Sequence, residues 1–134
     1  MTLVDRKSRY TIITKIESEH ADHVYQRIRK RLKKLEPDHR HSVTFDNGTD
    51  FTNCKRLRKY PGIELYVADP GRPHQRGTNG LIRQFYPKGT HFRRITHHHV
   101  RAVQDLLNNR PRACLDYRTP NEVFLDEPTP ENCN

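Results

Sequence analysis

A chain of 134 residues has the size of one domain, which leaves no room for a multi-domain assembly and suggests a single core. Its 25 Lys and Arg against 16 Asp and Glu give a net charge of +9, and only 32% of residues are hydrophobic, with no Trp and nine prolines. That balance points to a polyanionic partner and a marginal core. No apolar run approaches the roughly 18 residues that span a bilayer. The opening Met1-Thr2-Leu3-Val4-Asp5-Arg6 has neither the apolar centre nor the cleavage site of a secretory leader. A cytoplasmic location with no membrane partner is the expectation. Cys54, Cys114 and Cys133 are odd in number and lack C-x-x-C spacing, which fits reduced, isolated thiols.

In chain order, Thr2 to Ile16 holds two β-branched stretches around the polar corner Arg6-Lys7-Ser8, predicting two antiparallel strands. From Ser18, placed as an N-cap, Ala21, Val24, Tyr25, Ile28, Leu32 and Leu35 recur at spacings of three and four, one stripe of a helix. Six of the eight residues Arg27 to Lys34 are basic and cluster toward its C-terminal end, where the helix dipole favours cations. Such a run is an ordinary solvated face or a phosphate-binding one. Pro37 is read as the helix stop, and Ser42-Val43-Thr44-Phe45 as a strand running into the turn Asp46-Asn47-Gly48.

Thr49 to Tyr60 predicts another helix, with Phe51, Cys54 and Leu57 inward, broken at Pro61-Gly62. Ile63 to Val67 is a strand, Asp69 to Asn79 a loop rich in Pro and Gly, and Leu81 to Tyr86 a helical piece. Thr96 to Asn109 predicts a helix capped by Thr96 and stopped by Pro111, with Val100, Val103, Leu106 and Leu107 on one face. Residues 126–134 are expected to be a disordered tail. Early strands followed by alternating strand and helix give an α/β class with a mixed sheet flanked by helices.

Asp46 follows a strand on a basic chain, the position of a carboxylate that anchors Mg²⁺ beside a nucleic-acid backbone, and equally an ordinary turn residue. His97-His98-His99 cannot chelate one ion, because successive helical residues point about 100° apart. His20 with His23 and His39 with His41 lack the further ligands of a zinc set. Arg76, Arg83, Lys88, Arg93 and Arg94 surround Phe85, Tyr86 and Phe92, a mixture suited either to phosphate clamping with base stacking or to core packing.

Four ordered segments are more specific. They are Thr2-Leu3-Val4-Asp5-Arg6-Lys7-Ser8-Arg9-Tyr10; Thr44-Phe45-Asp46-Asn47-Gly48-Thr49-Asp50-Phe51; Arg76-Gly77-Thr78-Asn79 running through Gly80-Leu81-Ile82-Arg83-Gln84-Phe85-Tyr86-Pro87-Lys88-Gly89; and Asn108-Asn109-Arg110-Pro111-Arg112 with Arg118-Thr119-Pro120-Asn121-Glu122-Val123-Phe124. Together they resemble the catalytic core of bacterial transposases of the insertion-sequence-thirty family. The resemblance implies a ribonuclease-H-like, retroviral-integrase-like fold over residues 1–125 with its first strand missing. It also implies two Asp and one Glu that hold two Mg²⁺ (or Mn²⁺) ions for DNA cleavage and strand transfer. The implied partners are DNA, as transposon ends and target, and a second copy or an intact transposase.

Within that resemblance Asp46 matches the second Asp, as catalytic residue and metal ligand. The first Asp lies in a strand upstream of Thr2-Leu3-Val4-Asp5-Arg6, and Asp5 is not its equivalent. The family motif Arg-Gly-Thr-Asn-Glu-Asn-Thr-Asn-Gly-Leu is shortened here, Asn79 being joined directly to Gly80, as if four residues including the Glu were removed from a helix start. The expectation is impaired cleavage, with Asp50, Glu64 or Asp69 as conceivable substitutes, and poor solubility from exposed sheet edges. The family's helix-turn-helix region is also absent. The alternative is a non-catalytic DNA-binding or dimerising remnant that regulates transposition. Arg27, Lys30, Arg31, Lys34, Arg76, Arg83 and Lys88 are the candidate DNA-binding residues for either reading. A product with no function shares all these features.

Overall fold

The computed structural model describes residues 1–17, 20–45, 49–59, 62–67 and 76–126, without the side chains of 49–52, 76, 77 and 79. Where the length suggested a single core, the chain divides into two compact units, Met1–Lys15 with Pro73–Asn134 and Ile16–Arg72.

The first unit opens with strands β1 (Thr2–Val4) and β2 (Thr11–Ile13), antiparallel as expected, with Thr2 opposite Ile13 and Val4 opposite Thr11. The corner between them is built rather than merely polar. One Asp5 carboxylate oxygen accepts from the Ser8 backbone N–H at 2.6 Å and from the Ser8 hydroxyl at 2.5 Å, and Ser8 is fully buried. Arg9 completes the turn in the left-handed region at φ 60°.

Helices α2 (Arg76–Phe85), α3 (His97–Asn108) and α4 (Pro120–Leu125) complete this unit. Its core joins Ile13 of β2 to Tyr86, Val100, Val103 and Leu107, with Leu81, Ile82 and Ile95 packed against them. α3 starts as expected, the Thr96 hydroxyl accepting from the His99 N–H. Its inward face differs from the expectation: Leu106 is 60% exposed, whereas Gln104 and Asn108 turn toward β2. At about 100° per residue, Leu106 lies well off the line through Val100, Val103 and Leu107.

The two amides serve the outer edge of β2. The Thr11 N–H donates to Asn108 Oδ1 and Asn108 Nδ2 donates to the Thr11 carbonyl, both at 2.8 Å, while the Ile13 N–H donates to Gln104 Oε1 at 3.0 Å. α3 thus substitutes for a third strand.

α2 begins at Arg76, inside the segment read as loop, and runs through Gly77 and Gly80. Burial of Tyr86 and the packing of Leu81 and Ile82 outweigh the low helix propensity of the glycines. α4 was not anticipated, although Thr119-Pro120-Asn121-Glu122 is a capping box with Pro at the first position. Asp126, assigned to the disordered tail, caps α4 and pairs with Arg118; residues 127–134 lie outside the described ones.

In the second unit, α1 (Ala21–Leu32) buries Val24, Tyr25, Ile28 and Leu32, the stripe read from the sequence. Its N-cap is His20, which makes no side-chain cap bond, and not Ser18, which lies outside the described residues. The helix ends at Leu32, well before Pro37, where an Arg40 guanidinium N–H donates to the Leu32 carbonyl at 3.4 Å. Pro37 instead opens a short 3₁₀ turn, Pro37–His39.

α1 packs on a long 3₁₀ helix, Thr49–Lys59. There the expected inward residues Cys54 and Leu57 are buried, and their spacing of three matches the three-residue period of this helix. β3 (Ser42–Phe45) and β4 (Glu64–Val67) pair in parallel, Ser42 opposite Glu64 and Phe45 opposite Val67. The described strands form one antiparallel and one parallel pair.

Two buried polar groups set the expected response to mutation. Asn108→Ala leaves the buried Thr11 N–H and carbonyl without partners and should destabilise the chain by about 3 kcal/mol in urea unfolding. Tyr86→Phe should raise the urea midpoint by about 1 kcal/mol equivalent, because the buried Tyr86 hydroxyl has no hydrogen-bond partner among the described residues.

Candidate nucleic-acid interface

The cationic face of α1 arises because its apolar stripe occupies one side of the cylinder while Arg27, Arg29, Lys30 and Arg31 fill the rest of its C-terminal half. Lys30 and Lys34, one turn apart, are exposed and have no partner among the described residues. Arg27 and Arg31 are half-buried on the same flank. Arg27 Nε donates to His23 Nε2 at 3.2 Å, which turns the guanidinium along the helix. His23 is thereby occupied, and the His20–His23 pair does not present two free ring nitrogens.

The opposite flank is partly neutralised. Asp22 accepts from Arg56 at 3.1 Å and from the Asn53 amide at 3.1 Å, and the Arg56 guanidinium lies 4.7 Å from the Tyr25 ring centroid. These exposed pairs order the contact between α1 and the 3₁₀ helix more than they stabilise it. Lys30 and Lys34 take no part in this network and are exposed, so their charge is available to a ligand.

The other candidates belong to the first unit. Arg83 on α2 and Lys88 just after it are exposed; the Arg76 backbone starts α2, and its side chain lies outside the described ones. Of the aromatic residues interleaved with them, Tyr86 is a core residue, its ring 5.6 Å from Phe92 and 5.8 Å from His99. Burial raises the Tyr86 pKa. Phe85 and Phe92 remain exposed. The same unit has an open groove of about 690 Å³ lined by Phe85, Ala102, Leu106 and Leu107, with Asp105, Asn109 and Arg110 as its polar wall.

Asp46, the candidate metal ligand, lies outside the described residues, as does Asp69. The structure places the C-terminal ends of the strands before them, Phe45 and Val67, opposite each other in the parallel pair. Glu64 is exposed on β4 and accepts from the Tyr66 hydroxyl at 2.5 Å, which raises the Tyr66 pKa. Among the described residues no three His, Cys, Asp or Glu side chains come together, so they do not by themselves fit a two-metal carboxylate set. The Asn79–Gly80 junction falls inside α2, not at its start, and α2 carries no carboxylate at all.

The thiols behave as expected where they are described. Cys54 and Cys114 are free, and burial pushes Cys54 up to about 11, out of the range of a reactive thiolate. Cys133 lies outside the described residues. Among the described residues no helix is long and apolar enough to cross a membrane.

No protein-family model matches the chain. It is 40% identical over 127 residues to the transposase InsI for insertion sequence element IS30A of Escherichia coli (strain K12), covering 92% of this chain and 33% of that protein. It is 35% identical over 128 residues to the transposase for insertion sequence element IS4351 of Bacteroides fragilis, covering 92% of this chain and 39% of that one. The chain thus spans about a third of the length of these curated relatives. Among solved structures, the catalytic core domain of BIV integrase superposes with a TM-score of 0.67 at 21% identity, over 93% of this chain and 84% of that one. Over the segment it spans, the chain is similar to transposases of bacterial insertion sequence elements, and its α/β fold is that of a retroviral integrase catalytic core.

Proposed function

We propose that this chain is a DNA-handling segment of a transposase, acting in DNA transposition, and that its own contribution is binding rather than cleavage. The observation that carries this reading is the 40% identity over 127 residues to an insertion-sequence transposase. The exposed ammonium groups of Lys30 and Lys34, with Arg27 and Arg31 beside them, supply the physical means. Phosphates are recognised by cations arrayed at helical spacing, whatever the base sequence. Arg83, Lys88 and Arg76 add positive charge from the first unit. The partners in this reading are transposon-end and target DNA, and a second copy or an intact transposase.

The resemblance assigns Asp46 the role of catalytic carboxylate and ligand of Mg²⁺ or Mn²⁺. A two-metal displacement needs further carboxylates to neutralise and place both ions. From Pro70 to Gln104 the sequence has no Asp or Glu, so α2 offers no third carboxylate. That favours the non-catalytic remnant, regulating transposition by occupying DNA or the intact enzyme, over an active nuclease.

Two measurements on the full chain separate the readings. In a nicking and strand-transfer assay with Mg²⁺ or Mn²⁺, neither the wild type nor Asp46→Ala should form product, while both should retain DNA to the same extent. Product from the wild type that disappears in Asp46→Ala would restore the catalytic reading. In a salt titration of duplex binding, Lys30→Gln and Lys34→Gln should each reduce the slope of log K against log salt by about 0.9, with the unfolding midpoint unchanged. A slope indifferent to both would remove α1 from the interface.

A further inference from the structure

The turn that joins α3 to α4 is a rigid projection with an aromatic ring at its tip. The Arg112 N–H donates to the Arg118 carbonyl at 3.0 Å, and the Arg112 carbonyl accepts from both Leu115 and Tyr117 N–H at 2.9 Å. The single 3₁₀ turn Ala113–Leu115 lies inside this neck. Asp116 and Tyr117 come next, at φ 53° and 62°. Two successive non-glycine residues in the left-handed region are uncommon, the second being aromatic. Strain of this kind persists where the surroundings over-determine it, and it concentrates at functional positions. Its effect here is to hold the Tyr117 ring outward, 76% exposed, with no ring partner among the described residues.

The base of the projection is cationic in a specific way. Arg118 is neutralised by Asp126. Arg110 is exposed and has no partner among the described residues. Arg112 is half-buried; one guanidinium N–H donates to the Leu107 carbonyl at 3.2 Å, while its buried Nε has no partner among the described residues. Burial lowers the Arg112 pKa, and the neighbouring charge of Arg110 lowers it further. Two guanidinium groups held near one another, one with a spare buried N–H, would both be relieved by an anion with several acceptor oxygens.

We propose that residues 110–118 form a nucleotide-contact element in which Tyr117 stacks on an unpaired base while Arg110 and Arg112 bind the adjoining phosphate. This rests on the DNA reading above and adds to it a contact with bases exposed at a frayed or cleaved end. An acidic protein segment would satisfy the guanidinium pair but has no use for a flat, backbone-fixed ring beside it. A nucleotide supplies both the π-face and the phosphate.

The test uses the full chain and a labelled single strand of about 20 nucleotides alongside its duplex, followed by fluorescence anisotropy. Tyr117→Phe should bind the single strand as the wild type does. Tyr117→Gly should weaken that binding at least about fivefold without changing its salt slope. The same variant should unfold at equal or higher urea, since glycine accepts φ 62° without strain. Lower affinity with undiminished stability is not what a merely structural tyrosine would give. Arg110→Gln should reduce the single-strand salt slope by about 0.7. A strand carrying 5-iodouracil should photocrosslink to Tyr117. The inference is overturned if the wild type binds with salt-dependent affinity and Tyr117→Gly is unchanged. It is equally overturned if Tyr117→Gly alters the sedimentation of the DNA-free chain, which would place the ring at a protein interface. No DNA binding by the wild type at any salt would instead remove the broader reading, and this one with it.

Discussion

The first unit depends on three hydrogen bonds made by two side-chain amides. β1 and β2 are three residues each, and an isolated two-stranded hairpin of that length is marginal in water. Gln104 and Asn108, one turn apart on α3, reach the N–H and carbonyl groups that β2 turns away from β1. They bond partners 91 and 97 residues away in sequence. Ile13, whose N–H makes one of these contacts, enters the same core as Val100, Val103 and Leu107. Polar edge and apolar face are therefore satisfied by one helix, and neither the hairpin nor the inner face of α3 is complete without the other. Such long sequence separations make this a late step of folding.

Charge is arranged under the opposite constraint. A net charge of +9 on 134 residues repels itself, and a compact state tolerates it only if the cations stay in water or find partners. Arg56 and Arg118 are paired with Asp22 and Asp126, and Arg40 and Arg112 donate to the carbonyls of Leu32 and Leu107. Among the described residues Lys30, Lys34 and Arg110 have no such partner. Guanidinium groups, with several directional donors, are suited to closing a helix end or turn in this way, as Arg40 and Arg112 do. The electrostatic cost of holding the solvent-facing cations together is what a polyanion removes on binding.

What was legible in the sequence was local. The α1 stripe, the Thr96 cap, the hairpin and the strands at Ser42–Phe45 and Glu64–Val67 arise from spacings within a few residues. The α4 start was equally local, since Thr119 and Glu122 spell out their reciprocal cap, and it is easily passed over because the helix it opens is only six residues long. Gln104 and Asn108 could not be read inward, because polarity argues for the surface until the partner strand is known. The same logic put Leu106 inside. The strained pair Asp116 and Tyr117 carries no compositional mark, for glycine or asparagine is what φ above zero would suggest. Of the candidate site, the cationic flank was visible from helical phase alone, whereas position alone left Asp46 open between metal ligand and turn residue, and only the family resemblance favoured the ligand.

The contrast between fold and chemistry comes to a point at the Asn79–Gly80 junction. By the resemblance, four residues of the family motif would be missing there, and the junction lies within α2. Four residues turn a helix by about 400°, so the part of α2 beyond the junction is rotated by only about 40° and shifted by about 6 Å along the axis. Tyr86 lies in the core with Leu81 and Ile82 packed against it, and the helix that begins at Arg76 has ten residues. Packing depends on a period and survives the loss of one whole turn. A carboxylate that must meet two others around a pair of metal ions depends on a single position, and no periodicity restores it. The integrase-like fold is recognisable along 93% of the chain, and α2 has no acidic side chain. What persists on the surface is cationic and needs no metal to hold a phosphate.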